Sequence, residues 1–201
     1  MIYEIKKYGD PVLRKIASEV NNIDDETRKI LDDMVETMYA TDGVGLAAPQ
    51  IGKSMRMFVC DDGNGVVRKV INPIITPLTD EIQEYEEGCL SVPGIFKKVE
   101  RPKKINIKYL DENGEAKEEN VDGFLAIVMQ HEYDHLNAVL FVDKVSPMAK
   151  RMIAKKLQNI KKDSLKNVKW WNGKQQKVSN NIHDFFCFIY RICLQSSSTN
   201  I

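Results

Sequence analysis

Gln130-His131-Glu132-Tyr133-Asp134-His135-Leu136 carries the pattern His-Glu-x-x-His and holds two of the chain's three histidines. On a helix, residues four apart lie one turn apart on one face, so His131 and His135 can grip one metal ion between them. Glu132 sits about 100° round the axis from His131, close enough to reach a water on that ion without being a ligand. The helix is predicted over Gly123 to Leu136, with Asp122 in the capping position. Phe124, Val128, His131 and His135 fall at i, i+4, i+7 and i+11. The apolar stripe therefore runs into the histidines, and the metal face is expected to be the buried face. Chance alone puts such a string in on the order of 1% of chains this long, so its surroundings have to decide.

The totals set the frame. A chain of 201 residues is read as one domain with an appendage. Its 43% hydrophobic and 29% charged residues are ordinary for a globular protein, and its formal net charge of zero gives no global hint of nucleic acid or membrane. No apolar run approaches the ~20 residues of a bilayer span. The start, Met1-Ile2-Tyr3-Glu4-Ile5-Lys6-Lys7, lacks the apolar core of a signal peptide, so a cytoplasmic location is expected. There Cys60, Cys89, Cys187 and Cys193 are expected as free thiols or metal ligands.

Upstream of the motif, residues 1 to 20 read as a strand-like start broken by a turn at Asp10-Pro11. Asn22 to Met38 is a predicted helix, capped by Asp24, with Ile30, Leu31, Met34, Val35 and Met38 on its apolar face. Gly43-Val44-Gly45-Leu46-Ala47-Ala48-Pro49-Gln50-Ile51-Gly52 is small, apolar and nearly uncharged. A tight turn feeding a strand is its simplest account, although Gly43 and Gly45 allow close backbone approach and Gln50 offers a neutral donor. Strands are predicted over 57–60, 66–71, 82–86, 95–100 and 105–110. Asn113-Gly114 makes a hairpin into a charged edge strand over 115–121. Cys60 reads as a small buried strand residue. Glu87-Gly88-Cys89-Leu90-Ser91 lies among these strands, and taken alone Cys89 is read as a buried structural thiol.

Downstream, Val139 to Val142 is a short apolar run. Ser146 and Pro147 then open a basic helix running to residue 169. Its lysines make either a solvated face or a docking surface for a polyanion. Beyond Trp170 the composition changes, and residues 170–201 are expected to be a poorly ordered or non-native tail.

A catalytic site of this type needs a third protein ligand and an open position. No Glu follows Glu132, which removes the pattern with a downstream glutamate. Ala138 and Phe141 occupy the places of Gly and His in His-Glu-x-x-His-x-x-Gly-x-x-His, which removes that one too. His183, a downstream aspartate or an upstream cysteine remain. Cys89 is favoured, because its glycine-flanked segment can approach the helix and a thiolate suits a borderline divalent metal.

With these stretches assembled the sequence resembles the peptide deformylases, of the bacterial type that ends in a long helix. Gly43 to Gln50, Glu87 to Ser91 and Gln130 to Leu136 match three ordered signatures, and Asp10 to Arg14 matches the N-terminal segment. The resemblance covers about residues 1–169, taken as the catalytic domain. It implies an α+β fold in which antiparallel β-sheets pack around a central metal-binding helix, with N-terminal and C-terminal helices. It implies removal of the formyl group from N-formylmethionine of nascent chains. Cys89, His131 and His135 would bind the metal, Glu132 would act as general base and acid, and Gln50 with the Leu90 N–H would hold the oxyanion. Val44 and Gly45 would pair with the substrate backbone, while Tyr85, Glu87, Phe124, Ile127 and Val128 would line the methionine pocket or support the site. Fe2+ is implied in the cell, with Zn2+, Ni2+ or Co2+ able to replace it in a preparation. The expected partners are N-formylmethionyl peptides and, through helix 147–169, ribosomal RNA near the nascent-chain exit; the chain is expected to be a monomer. A metallopeptidase cutting internal bonds is the competing reading. One departure is Ala138, where the resembled family usually has Gly, which can shift a turn.

Overall fold

A computed structural model describes residues 1–166 of the chain. The expected boundary at residue 170, the tail and His183 lie outside the described residues. The elements are α1 (Asp25–Ala40), β1 (Gly45–Ala47), β2 (Met57–Asp61), β3 (Val67–Pro77), β4 (Ile82–Cys89), β5 (Val92–Pro102), β6 (Lys104–Leu110), β7 (Ala116–Asp122), α2 (Gly123–Leu136) and α3 (Phe141–Lys144). A last helix, α4, starts at residue 147 and is helical through 166. The expected α+β architecture is therefore the observed one.

The strands form two antiparallel sheets. One has the order β1-β2-β3-β6-β7, and the other is the β4-β5 hairpin. In β2 the period-two alternation of a strand sends Phe58 and Cys60 to one face and Met57 and Val59 to the other. Phe58 and Cys60 pack with Ala126, Val128 and Met129 of α2. Met57 and Val59 pack with Leu31, Met34 and Met38 of α1. The larger sheet thus lies between two helices, which is why β2 is buried along its whole length. At roughly 1.5–3 kcal/mol for each large apolar side chain withdrawn from water, the first layer anchors α2 to the sheet and the second anchors α1. A third cluster joins Val92, Ile95 and Val99 of β5 to Phe141 and Val142 of α3 and Ile153 of α4.

Local chemistry sets the boundaries. The Asp24 side chain accepts from the Thr27 N–H at 2.9 Å and starts α1. The Asp10 carboxylate accepts from Val12 N–H at 3.0 Å and caps a 3-10 turn over Pro11–Arg14. Ser146 Oγ accepts from Ala149 N–H at 3.2 Å, as expected of a cap on α4. Asp111 accepts from the N–H groups of Asn113 and Glu115 and closes the Asn-Gly turn, and the charged β7 is an edge strand, as expected.

Several expectations need correction. Residues 1–7 join no strand ladder; the segment is held instead by bonds such as Lys6 N–H to the Gln50 carbonyl at 2.7 Å. The turn predicted at Gly43–Gly52 contains a strand, β1, paired with β2, followed by a 3-10 turn over Ala48–Ile51. β3 runs past Ile71 because Asn72, at φ 50°, absorbs an irregularity while its amide brackets the Val20 backbone with two bonds of 2.9 Å. The short apolar run after α2 includes the small helix α3. Asp122 stands at the N-cap of α2, but its exposed side chain makes no capping bond. Ala138 itself takes the left-handed conformation, φ 61°, at the end of α2.

Candidate metal centre

α2 is not amphipathic in the expected way. It is buried almost all round, from Ala126 to Glu132 and from Asp134 to Leu136, whereas Phe124 at its start is 37% exposed. The sheet covers one side and the β4-β5 hairpin and α3 cover the other, so the histidines are held in the interior. His131 is 8% exposed and His135 1%. The hairpin brings Cys89, the last residue of β4, onto this face of the helix.

One ligand atom each from Cys89, His131 and His135 lie within 4.8 Å of one another. Cys89 Sγ is 3.3 Å from His135 Nε2. Bond lengths of about 2.0–2.3 Å to a shared tetrahedral ion require donor spacings of about 3.3–3.7 Å, so the cluster needs little movement to close on one. His131 Nδ1 meets Glu87 Oε2 at 2.8 Å, which leaves Nε2 for an ion. A thiol and two imidazoles are the donor set expected for a borderline divalent metal. The residues present therefore fit such an ion.

Electrostatics in the site follow from burial and from the neighbouring side chains. Burial works against a charge on His131, but Cys89 and Glu87 beside it win and raise its pKa well above the imidazole range. Burial and the neighbouring His131 push His135 the other way. Burial raises the Glu132 carboxyl to about 7, and its Oε2 is buried without a hydrogen-bond partner. A carboxylate poised near neutrality, with an unused oxygen, is suited to moving a proton.

Around these groups lies a cavity of about 610 Å3. Of the residues anticipated from sequence, Val44, Gly45, Gln50, Tyr85, Glu87, Cys89, Leu90, Phe124, Ile127, Val128, His131 and Glu132 all line it. Gln50 Oε1 accepts from Ala47 N–H at 2.8 Å, which turns Nε2 towards Ser91 Oγ at 3.3 Å and Cys89 Sγ at 3.6 Å. Tyr85 and Phe124 tilt against each other at the mouth with ring centroids 5.9 Å apart. Ile127 and Val128 are buried in the wall.

The family model described as "Polypeptide deformylase" matches residues 2–151. The chain belongs to the polypeptide deformylase family. Deformylases remove the formyl group from an N-terminal methionine, and a metallopeptidase cutting internal bonds is not favoured. The peptide deformylase of Fusobacterium nucleatum is 69% identical over 166 residues, 82% of this chain and 95% of that protein. The crystal structure of the Thermotoga maritima deformylase is similar at 52% identity and a TM-score of 0.71, over 73% of this chain and 99% of that one. That of the Thermus thermophilus deformylase is similar at 38% identity and a TM-score of 0.77, over 81% and 99%.

Sequence reasoning missed the support behind this deformylase site. Arg101, 1% exposed, holds both oxygens of Glu87 and also donates to Asp134 Oδ2 at 2.9 Å. Lys144 reaches the other Asp134 oxygen at 2.9 Å. Burial pushes Glu87 up, but Arg101 and His131 overcome it and hold its carboxyl down to about 2. The signal was available in the alternation of β5, where Arg101 shares the buried face with Val99.

Proposed function

We propose that the chain removes the formyl group from N-formylmethionyl ends of nascent polypeptides by hydrolysis at a metal centre held by Cys89, His131 and His135. Support comes above all from the convergence of that thiol and those two imidazoles in a chain of this family. A divalent ion bound there supplies Lewis-acid chemistry, acidifying water and polarising the formyl carbonyl. Fe2+ is the ion we assign in the cell, with Zn2+, Ni2+ and Co2+ able to replace it.

The chain's own residues do the rest. Glu132 takes the proton of the attacking water and returns it to the leaving amine. Gln50 Nε2 and the Leu90 N–H stabilise the oxyanion, each at roughly 10²–10³ in rate by analogy with other such donors. Val44 and Gly45 pair with the substrate backbone, while Tyr85, Phe124, Ile127 and Val128 take the methionine side chain. Glu87 holds His131 in the tautomer that presents Nε2. A formyl carbon bears only hydrogen, so a tight site rejects an acetyl methyl.

The test is formate release from a formyl-Met peptide. It should stop with chelator and return with a divalent ion; release undiminished by exhaustive chelation would sink the metal role. Cys89→Ala should lose stoichiometric metal, and Glu132→Ala should keep it while losing turnover.

The catalytic domain is taken as residues 1–169, followed by an unassigned tail over 170–201, and the protein as a cytoplasmic monomer. No helix among the described residues is long and apolar enough to cross a membrane. The exposed lysines of α4 are proposed to dock on ribosomal RNA. Lys155→Glu with Lys162→Glu should weaken ribosome pelleting and lower its log–log salt slope by about 1 for each phosphate that is no longer neutralised. Unchanged pelleting would leave α4 as a solvated face.

A further inference from the structure

The N-terminal segment ties the turn that bears Gln50 to the turn that follows Cys89. Lys6 N–H donates to the Gln50 carbonyl at 2.7 Å, and Tyr8 N–H donates to the Ser91 carbonyl at 2.8 Å. Between them the Lys7 ammonium donates to the Leu90 carbonyl at 2.8 Å. Lys7 also lines the cavity, alongside Gln50, Cys89 and Leu90. Its ammonium has therefore turned inward, to a carbonyl in the turn that follows Cys89. Burial opposes its charge, and the neighbouring Cys89 favours it.

A lysine usually leaves its head group in water. Holding it here costs desolvation and side-chain entropy. Two effects offset that cost. The Leu90 carbonyl gains a charge-assisted donor, which fixes the Leu90–Ser91 peptide and with it the turn. The ammonium and the Cys89 sulfur also line one cavity, where attraction between partly buried charges is screened less than in bulk water. A thiolate beside a cation gives up less electron density to a bound ion, and the ion then polarises a carbonyl more strongly.

We propose that Lys7 is a positioning residue of the deformylation site: its ammonium fixes the turn that follows Cys89 and carries the Leu90 N–H, and brings a positive charge into the cavity that holds the Cys89 sulfur. The inference rests on the roles proposed above for Cys89 and Leu90.

The test compares Lys7→Met and Lys7→Arg with the unsubstituted protein, each loaded with Co2+, whose thiolate charge-transfer band reports on the sulfur. Lys7→Met should lower kcat about tenfold, the scale of an outer-shell change, with KM within about twofold and full metal content. Its band should move to lower energy, because the sulfur electrons lose a stabilising charge. Lys7→Arg should restore most of kcat and the band position. Should Lys7→Met not fold, Lys7→Gln, a donor without the charge, takes its place and must show the same red shift. An unshifted band with unchanged kcat overturns the role of Lys7 alone, as does a loss that Arg fails to rescue in a folded, metal-replete protein. A missing thiolate band in the unsubstituted protein overturns the metal centre itself, and Lys7's role with it.

Discussion

The Cα of Gly45 lies directly against the carboxylate of Glu132. A β-carbon built at residue 45 would collide with Oε1 and come within 2.9 Å of Cδ and Cγ. Strand β1 thus forms the wall that seats the proposed general base, and it can do so only while residue 45 lacks a side chain. Gly45→Ala is expected to push the carboxylate aside and cut kcat by roughly 10²-fold or more, since small displacements at a reacting centre are that costly. Metal content and far-UV circular dichroism should stay unchanged. Turnover within a factor of two would mean that Glu132 has room to spare.

Arg101→Met should be severe for a different reason. The substitution roughly keeps the volume but strands the buried Glu87 without its counter-charge and leaves the buried Asp134 with Lys144 alone. Removing one partner of a buried ion pair costs about 3–5 kcal/mol. Loosening of His131 should also weaken the metal by about 10–100-fold. Thermal unfolding and a metal titration read the two effects separately, and an unaltered midpoint would show that Glu87 and Asp134 find other partners.

Ala138 offers a change in the opposite direction. It holds φ 61° while its N–H donates to the His135 carbonyl at 3.3 Å and its own carbonyl accepts from Arg14 at 3.1 Å. An L-residue is strained in that conformation and glycine is not, although glycine also gains freedom when unfolded. The net expectation for Ala138→Gly is about 1 kcal/mol of added stability, or roughly 2–4 °C in Tm. A lower Tm would show that packing of the Ala138 methyl outweighs the strain.

Acid should expose the pairing at Glu119. Burial pushes this carboxyl up, but Arg68, at 3.1 Å, and Tyr109, at 2.6 Å, hold it below its ordinary 4.5. A depressed folded pKa means the stabilisation is complete above the ordinary value and fades as pH falls through the folded one. Glu119→Gln should therefore be less stable than the unsubstituted protein at pH 7, by about 1 kcal/mol for a partly exposed pair. The difference should shrink below about pH 4.5. Urea unfolding of both proteins at pH 7 and pH 4 measures it, and an equal gap at both values would refute the linkage.

Much of this was legible from residue order. The helix-period spacing of His131 and His135, the cap at Asp24 and the Asn-Gly turn are local signals, and local signals survive folding. Cys89 was reachable because other third-ligand patterns were absent. What escaped depends on neighbours far along the chain. Arg101 looks like a charge at a strand end until Glu87 and Asp134 arrive from β4 and α2. β1 is only three residues long and is defined by β2 rather than by its own composition. The expected stripe on α2 failed because a helix covered on both sides has no solvent face to mark.

The proposed ligands belong to two pieces that share no strand ladder, Cys89 from the β4-β5 hairpin and the histidines from α2 against the larger sheet. An ion held by all three would therefore act as a rivet between hairpin and helix. Its departure would leave the hairpin tied to the helix only by pairs such as Arg101 with Asp134 and Glu87 with His131. Chelation should accelerate amide exchange in β4 and β5 well before β2 and β3, whose bonds close within their own sheet.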